Sequence, residues 1–181
     1  MPLDAWTAAA VVTGIGVCIV TELQATPESG GVPPGMRLVY MTPGEIAWDG
    51  CDCGQLAQSI QMDYISNQFP VNTSQQPQQG VGCNLGPLAF QVIASITRCV
   101  PGMTGTVGSV KLPTPAKLIE AALTMEGDAY ALRKAVECCL SDMKRARPQR
   151  IFDYRVGEVQ RVGPEGNCGG VTMQYWFQLM Q

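Results

Sequence analysis

Gln55-Leu-Ala-Gln-Ser-Ile-Gln-Met-Asp-Tyr64 and Leu88-Ala-Phe-Gln-Val-Ile-Ala-Ser-Ile-Thr97 are the two stretches whose reading decides the fold. In the first, Leu56, Ile60, Met62 and Tyr64 alternate with Ala57, Ser59, Gln61 and Asp63. In the second, Leu88, Phe90, Val92, Ala94 and Ile96 alternate with Gln91, Ser95 and Thr97. Alternation with a period of two puts successive side chains on opposite faces of a strand, so both stretches read as half-buried strands. Gln58 and Ile93 break the pattern. Aligning the two apolar faces requires paired residue numbers to sum to about 152 or 154, because a one-residue slip would set apolar against polar positions. The expectation is a long antiparallel hairpin with one face packed on helices and the other more polar.

Between these strands lies an extended loop, residues 67–86, reading NQFPVNTSQQPQQGVGCNLG. It carries four Gln around Pro77 and no charge. Connections of this length are uncommon within a compact domain. A plain linker and a segment ordered against a partner both fit the composition. On the second reading Phe69, Asn72, Gln75, Gln76, Gln78 and Gln79 form a partner-contact loop. The register also places Cys53, or Cys51 across a bulge at Gly50, near Cys99 as a candidate thiol pair. Directly opposed Cβ atoms stand about 4.5–5.5 Å apart, slightly wider than a disulfide prefers, so proximity is expected and oxidation stays open.

A chain of 181 residues is expected to form one domain with its own core. Only 15% of residues are charged, so much of the surface is uncharged and part of it is expected to be covered by other subunits. The net charge of −3 offers no basic face for nucleic-acid base recognition. The cluster Lys144, Arg145, Arg147 and Arg150 reads as a solvated helix end, where cations are favourable. The apolar run from Ala5 to Val20 has Asp4 before it and no cation before Arg37, unlike a signal peptide. It is short for a bilayer span and is followed by Glu22, so the expectation is a buried N-terminal helix, started by Pro2 or capped by Asp4, in a non-secreted protein without membrane contact. The eight cysteines are then expected to be reduced at synthesis, with later oxidation open.

Met36 to Met41 reads as a short strand. Thr114-Pro115 opens the clearest helix, with Thr as N-cap and Pro at the first helical position. Leu118, Ala122, Met125, Ala129, Leu132, Val136, Cys139 and Met143 form its seam. Ile119, Leu123 and Tyr130 widen that seam, while Lys117, Glu120, Asp128, Lys134 and Glu137 lie elsewhere on the helix. Gly127 suggests a kink. Phe152, Tyr154, Val156 and Val159, with a bulge near Gly157, read as one strand of a second hairpin. A turn at Gly163 to Gly170 leads to Val171, Met173, Tyr175, Phe177 and Leu179 on the other. The fold class is therefore α+β: an antiparallel sheet of long hairpins packed on one face by an N-terminal helix and a long central helix.

The chain contains no histidine, which removes the commonest general base and any Ser-His-Asp or Cys-His site. There is no Gly-rich phosphate loop with a lysine. Cys51-x-Cys53 and Cys138-Cys139 lack zinc-knuckle spacing, so Cys99 and Cys139 read as small buried residues rather than ligands. No enzyme, cofactor or metal is expected.

Several segments together carry a resemblance: Gly44-Glu45-Ile46-Ala47-Trp48-Asp49-x-Cys51-x-x-Gly54-Gln55-Leu56, Thr97-Arg98-Cys99-Val100-Pro101, Asp128-Ala129-Tyr130, Cys138-Cys139-Leu140 and Val162-Gly163-Pro164-Glu165-Gly166-x-Cys168-x-Gly170. The chain resembles neck proteins of long-tailed, non-contractile bacteriophages with actinobacterial hosts, most closely the tail terminators or head-to-tail connector proteins. That resemblance implies an α+β subunit in a homo-oligomeric ring, a hexamer, which caps the tail tube protein and docks it to a head-side connector or stopper protein. It implies a place in the virion neck, after assembly in the host cytoplasm, and no catalytic residues. A head-completion stopper or a tail tube protein would suit the same features. The rival of another class is a small-molecule-binding protein, which would be a monomer with an apolar pocket.

Overall fold

The computed structural model describes residues 5–26, 30–32, 36–42, 44, 46, 54–73, 86–103, 109, 111–146, 151–165 and 167–179. Their elements are α1 (Ala5–Ala25), β1 (Arg37–Thr42), β2 (Gln55–Ile65), β3 (Leu88–Cys99), α2 (Pro115–Arg145), β4 (Ile151–Glu165) and β5 (Cys168–Leu179). The strands form one sheet in the order β1-β2-β3-β5-β4, and the fold is α+β. The hairpins β2–β3 and β4–β5 are antiparallel, as is β3 beside β5. The β1–β2 pair is parallel, so the sheet is mixed rather than antiparallel throughout. A parallel neighbour needs a connection of a dozen or more residues to bring the chain back to the same end of the sheet. The link from Thr42 to Gln55 is of that length.

The expected register of β2 and β3 is present in its first half. From Gln55↔Thr97 to Ile60↔Val92, paired numbers sum to 152. A shift between Ile60 and Met62 then sets Met62 opposite Gln91 and Tyr64 opposite Ala89. A bulge of one residue reverses which face each later side chain occupies. Met62 and Tyr64 therefore leave the face that carries Leu56, contrary to the alternation. Met62 is 46% exposed, while Tyr64 is buried on the far side of the sheet.

One face of the sheet and both helices share a single core. Leu56, Val92, Ile96, Met173, Tyr175 and Phe177 pack with Val12, Ile15, Ile19 and Leu23 of α1 and with Leu132, Val136 and Leu140 of α2. Each such burial contributes about 1.5–3 kcal/mol. Helix α1 extends past Val20 to Ala25, and its window Ala8–Ala25 is long and apolar enough to cross a membrane by length and composition. In this structure Val12, Ile15, Ile19 and Leu23 of that window have no exposed surface. The residues expected to start the helix, Pro2 and Asp4, lie outside the described residues. A disulfide joins Cys18 of α1 to Cys139 of α2, so Cys139 is a cross-link and not merely a small packed thiol.

Gln58, the polar residue at an apolar position of β2, is fully buried. Its Nε2 donates to the carbonyls of Val12 in α1 (2.9 Å) and Tyr40 in β1 (3.2 Å). Its Oε1 accepts from the Tyr175 hydroxyl of β5 (2.8 Å). Burial pushes the Tyr175 phenol well above its ordinary value, so it stays a neutral donor. The close approach of α1 to β1 depends on Gly16, where a Cβ would collide with the Tyr40 ring and stand 2.9 Å from Gln58 Nε2.

Helix α2 begins as expected. The Thr114 hydroxyl accepts from Lys117 N, Pro115 occupies the first turn, and the helix runs unbroken through Gly127. Its seam is only half used. Ala129, Leu132, Val136, Cys139 and Met143 are buried, whereas Leu118, Ile119, Leu123 and Tyr130 are exposed. Asp128, expected on the polar side, is completely buried. In the second hairpin the bulge near Gly157 is present between Val156 and Val159. The strands continue through most of the expected turn, to Glu165 and from Cys168. A further shift lies beside Ile151, and Phe152 is 57% exposed, whereas Tyr154 and Val156, which share its alternation, pack against the core.

Two outcomes are expected from these contacts. Gln58→Leu leaves the Tyr175 hydroxyl buried without an acceptor and lowers stability by about 1–3 kcal/mol. Tyr175→Phe then removes the stranded hydroxyl and is expected to recover stability in the Gln58→Leu background, a coupling that urea titration of the double-mutant cycle measures. Reduction of Cys18–Cys139 lowers stability by about 2–4 kcal/mol, readable as a shift of the urea midpoint with added phosphine.

Candidate assembly surfaces

The chain leaving β2 forms a compact knuckle at the start of the long loop. Gln68 and Val71 make an isolated bridge around a cis Phe69–Pro70 peptide. The Ser66 hydroxyl donates to Val71 O (2.7 Å) and the Tyr64 hydroxyl to Pro70 O (2.7 Å). Thr73 closes the turn: its N–H and hydroxyl both donate to Ile65 O (2.9 and 3.0 Å), and its oxygen accepts from Asn67 N (3.1 Å). Gln178 of β5 donates to Ser66 O (2.7 Å), tying the knuckle to the sheet. With these polar groups paired, Val71, Asn72 and Met62 are exposed, and Phe69 is partly buried. Of the residues expected to touch a partner, Phe69 and Asn72 therefore sit on a built support. Gln75, Gln76, Gln78 and Gln79 lie outside the described residues. Val71 and Met62 join the patch without any mark in the sequence, since Met62 alternates with the core residues of β2 until the bulge displaces it.

The expected thiol pair is divided by the same limits. Cys51 and Cys53 lie outside the described residues. Cys99 is exposed rather than buried, and in the β3–β5 register it stands opposite Cys168. Gly54 continues the β2–β3 alignment with φ +83°, and a Cβ there would meet Thr97 O at 2.6 Å.

The first turns of α2 form the second surface. Leu118, Ile119 and Leu123 are 47%, 61% and 61% exposed. Beside them a groove of about 270 Å³ runs between α2 and the end of β3, lined by Arg98, Val100, Pro101, Lys117, Glu120 and Met125 among others. The helix is held at the point where its packed half begins. Arg98 Nε and Nη2 donate to the two carboxylate oxygens of Asp128 (2.5 and 2.8 Å), and Nη2 also donates to Gly31 O (2.7 Å). Two of the segments singled out in the sequence, around Arg98 and Asp128, are thus joined by a buried ion pair. Burial pushes the Asp128 carboxyl above its usual range, against the opposing pull of the Arg98 hydrogen bonds and charge. Such a pair adds little net stability over apolar packing, yet it fixes the position of its elements, because either charge left alone is costly.

The third surface is a wider groove of about 790 Å³ between the last turns of α2 and strand β4. Arg133, Glu137, Ser141, Lys144 and Arg145 line it from the helix, and Asp153, Tyr154 and Arg155 from the strand. Lys144 pairs with Asp153 (2.8 Å) and Arg145 with Asp142 (2.9 Å), both largely in solvent and worth about 0–1 kcal/mol each. Among the described residues no group of three or more Cys, Asp or Glu is placed to hold a metal ion. The two grooves are open and lined with charge, and neither resembles an enclosed apolar ligand site.

Asp128→Ala strands the Arg98 guanidinium and is expected to lower stability by about 3–5 kcal/mol. Asn72→Ala and Val71→Ser on the knuckle are expected to change it by less than about 0.5 kcal/mol. Urea unfolding of the three variants separates a structural anchor from a display surface.

No protein-family model matches this chain, and no curated protein matches it.

Proposed function

We propose that this chain is a structural virion protein, a tail terminator, whose copies close into a ring that caps the tail tube and joins it to the head-side connector. The six-fold number, and the partners named as tail tube protein and connector or stopper protein, rest on the sequence resemblance. On this reading the protein is not an enzyme, assembles in the host cytoplasm and ends in the neck of the particle.

The observation that carries the proposal is the placement of uncovered apolar side chains. Strands β1 and β4 are the two outer strands, each with one strand neighbour among the described residues. Leu38 and Met41 on β1 and Phe152 on β4 are 41%, 44% and 57% exposed. Leu118, Ile119 and Leu123 add a helical stripe. Sheet edges and apolar stripes of this kind are ordinarily covered by a neighbouring subunit. Two different edges at opposite ends of one sheet suit head-to-tail contacts, which close into a ring when the rotation permits. The knuckle at residues 67–73 suits docking along the ring axis, because its backbone groups are already paired and its outward side chains are uncharged.

Deletion of residues 74–80, which spares the Thr73 anchor, is expected to leave the unfolding midpoint unchanged and to impair joining of tails to heads. Electron microscopy of assembling particles reads this out, with overlong tubes as the sign that capping has failed. Normal particles after the deletion would reduce the loop to a linker. Recovery of the unaltered protein only as a monomer, in particles and in solution, would refute the ring itself.

A further inference from the structure

The groove between the last turns of α2 and strand β4 carries cationic side chains that the fold leaves uncommitted. On the helix, Arg133, Glu137, Ser141 and Arg145 recur every four residues and line one wall. Asp153 and Arg155 of β4 line the other, beside Tyr154 and Val156, which pack against the core. Two of the lining cations have ion partners within the chain: Lys144 pairs with Asp153 (2.8 Å) and Arg145 with Asp142 (2.9 Å). Partial burial pushes the Asp153 carboxyl up, but hydrogen bonds from Lys144 and the Tyr154 N–H, with the charges of Lys144 and Arg155, outweigh it and hold the group below its usual range. Its negative charge is thus matched from inside the chain. Arg133 and Arg155 are exposed, and among the described residues neither donates a hydrogen bond nor forms an ion pair. Glu137 is the one carboxylate of the walls in the same position.

We propose that this groove binds an extended acidic segment of a partner protein, whose carboxylates are taken by Arg133 and Arg155. The site is additional to the ring reading and does not depend on it. The length of the groove suits a segment rather than a single ion. From Arg133 to Arg145 the helix rises about 18 Å, which an extended chain spans with about six residues. Guanidinium forks on the two walls suit separated carboxylates, each accepting two parallel N–H bonds. The groove is open, with Tyr154 and Val156 ringed by charge, which is the anatomy of a protein interface. A small molecule is better held by an enclosed apolar site. Nucleic acid fits less well for a countable reason. Two uncommitted cations neutralise about two phosphates, fewer than the row a duplex presents, and Glu137 stands among them. The net charge of −3 adds no long-range attraction for a polyanion of that size.

Fluorescence anisotropy of labelled hexaglutamate with the full chain tests this, at about 50 mM salt, where screening is weak. Binding is expected to weaken as salt rises, and labelled hexaglutamine is expected not to bind. Arg133→Gln/Arg155→Gln is expected to weaken hexaglutamate binding at least about fivefold, with an unchanged urea midpoint because neither side chain is bonded within the described fold. Glu137→Gln is expected to tighten binding about threefold, since it removes a repelling carboxylate, and a gain of this kind cannot come from misfolding. Equal binding by the unaltered protein and both variants, or no salt-sensitive binding at all, would overturn the proposal. Free glutamate binding as tightly as hexaglutamate would reduce the groove to a single-ion site and overturn the extended occupant. A labelled DNA duplex bound more tightly than hexaglutamate, and lost in the arginine variant, would overturn the proposal and assign the groove to nucleic acid.

Discussion

The carboxamide of Gln58 is the contact on which the arrangement of this fold depends. It lies with no exposed surface in an apolar core and bonds to the α1 backbone, the β1 backbone and the Tyr175 hydroxyl. Apolar burial alone would leave α1 underdetermined. The helix is apolar on nearly every side, and even its outward position Val17 is a hydrophobe at 51% exposure. A helix of that kind can be rotated with little change in buried area. A buried amide cannot be left unpaired, so it selects the rotation in which Val12 O reaches Nε2 and Gly16 admits the Tyr40 ring. The same bonds dock β1, a strand of only six residues, at the edge of the sheet.

The second constraint acts on α2. Along its 31 residues the helix divides near the Arg98–Asp128 pair. Beyond it, Leu132, Val136, Leu140 and the Cys18–Cys139 cross-link hold the helix to α1 and the sheet. Before it, the same apolar periodicity continues, but Leu118, Ile119 and Leu123 are exposed and only the Met125 side borders the end of β3. The ion pairs at its flanks, Glu126–Arg161 and Lys134–Glu22, are exposed and too weak to place a helix by themselves. One half of the helix is thus anchored in the core, while the other presents Leu118, Ile119 and Leu123.

The surfaces available for assembly follow from these anchors. The sheet ends in two different edges, β1 and β4, with exposed apolar groups on both, while a hydrogen-bonded knuckle stands where the chain leaves β2. Bulges along β4 interrupt its regular ladder, a feature that discourages indiscriminate strand pairing. What remains for recognition at that edge is side-chain chemistry, and there the basic groove lies.

By itself, the sequence determined the elements and the two hairpin pairings, β2 with β3 and β4 with β5. Alternation in β2, β3 and β5, the Thr114–Pro115 start of α2 and the 152 sum of the first β2–β3 pairs are all local or pairwise patterns, which side-chain periodicity expresses directly. It also marked Gln58 as an exception without revealing why. Only the tertiary structure decided the parallel seat of β1, the bulge at Gln61 that moves Met62 and Tyr64 to the other face, the burial of Asp128 and the exposure of Leu118, Ile119 and Leu123. The reason is common to all four. Periodicity states that a side chain has an apolar or polar face to sit on, but whether a neighbour occupies that face depends on distant residues. A bulge changes parity for everything after it, an arginine on a neighbouring strand makes a carboxylate an interior residue, and a helix packed along one half leaves apolar positions of the other exposed.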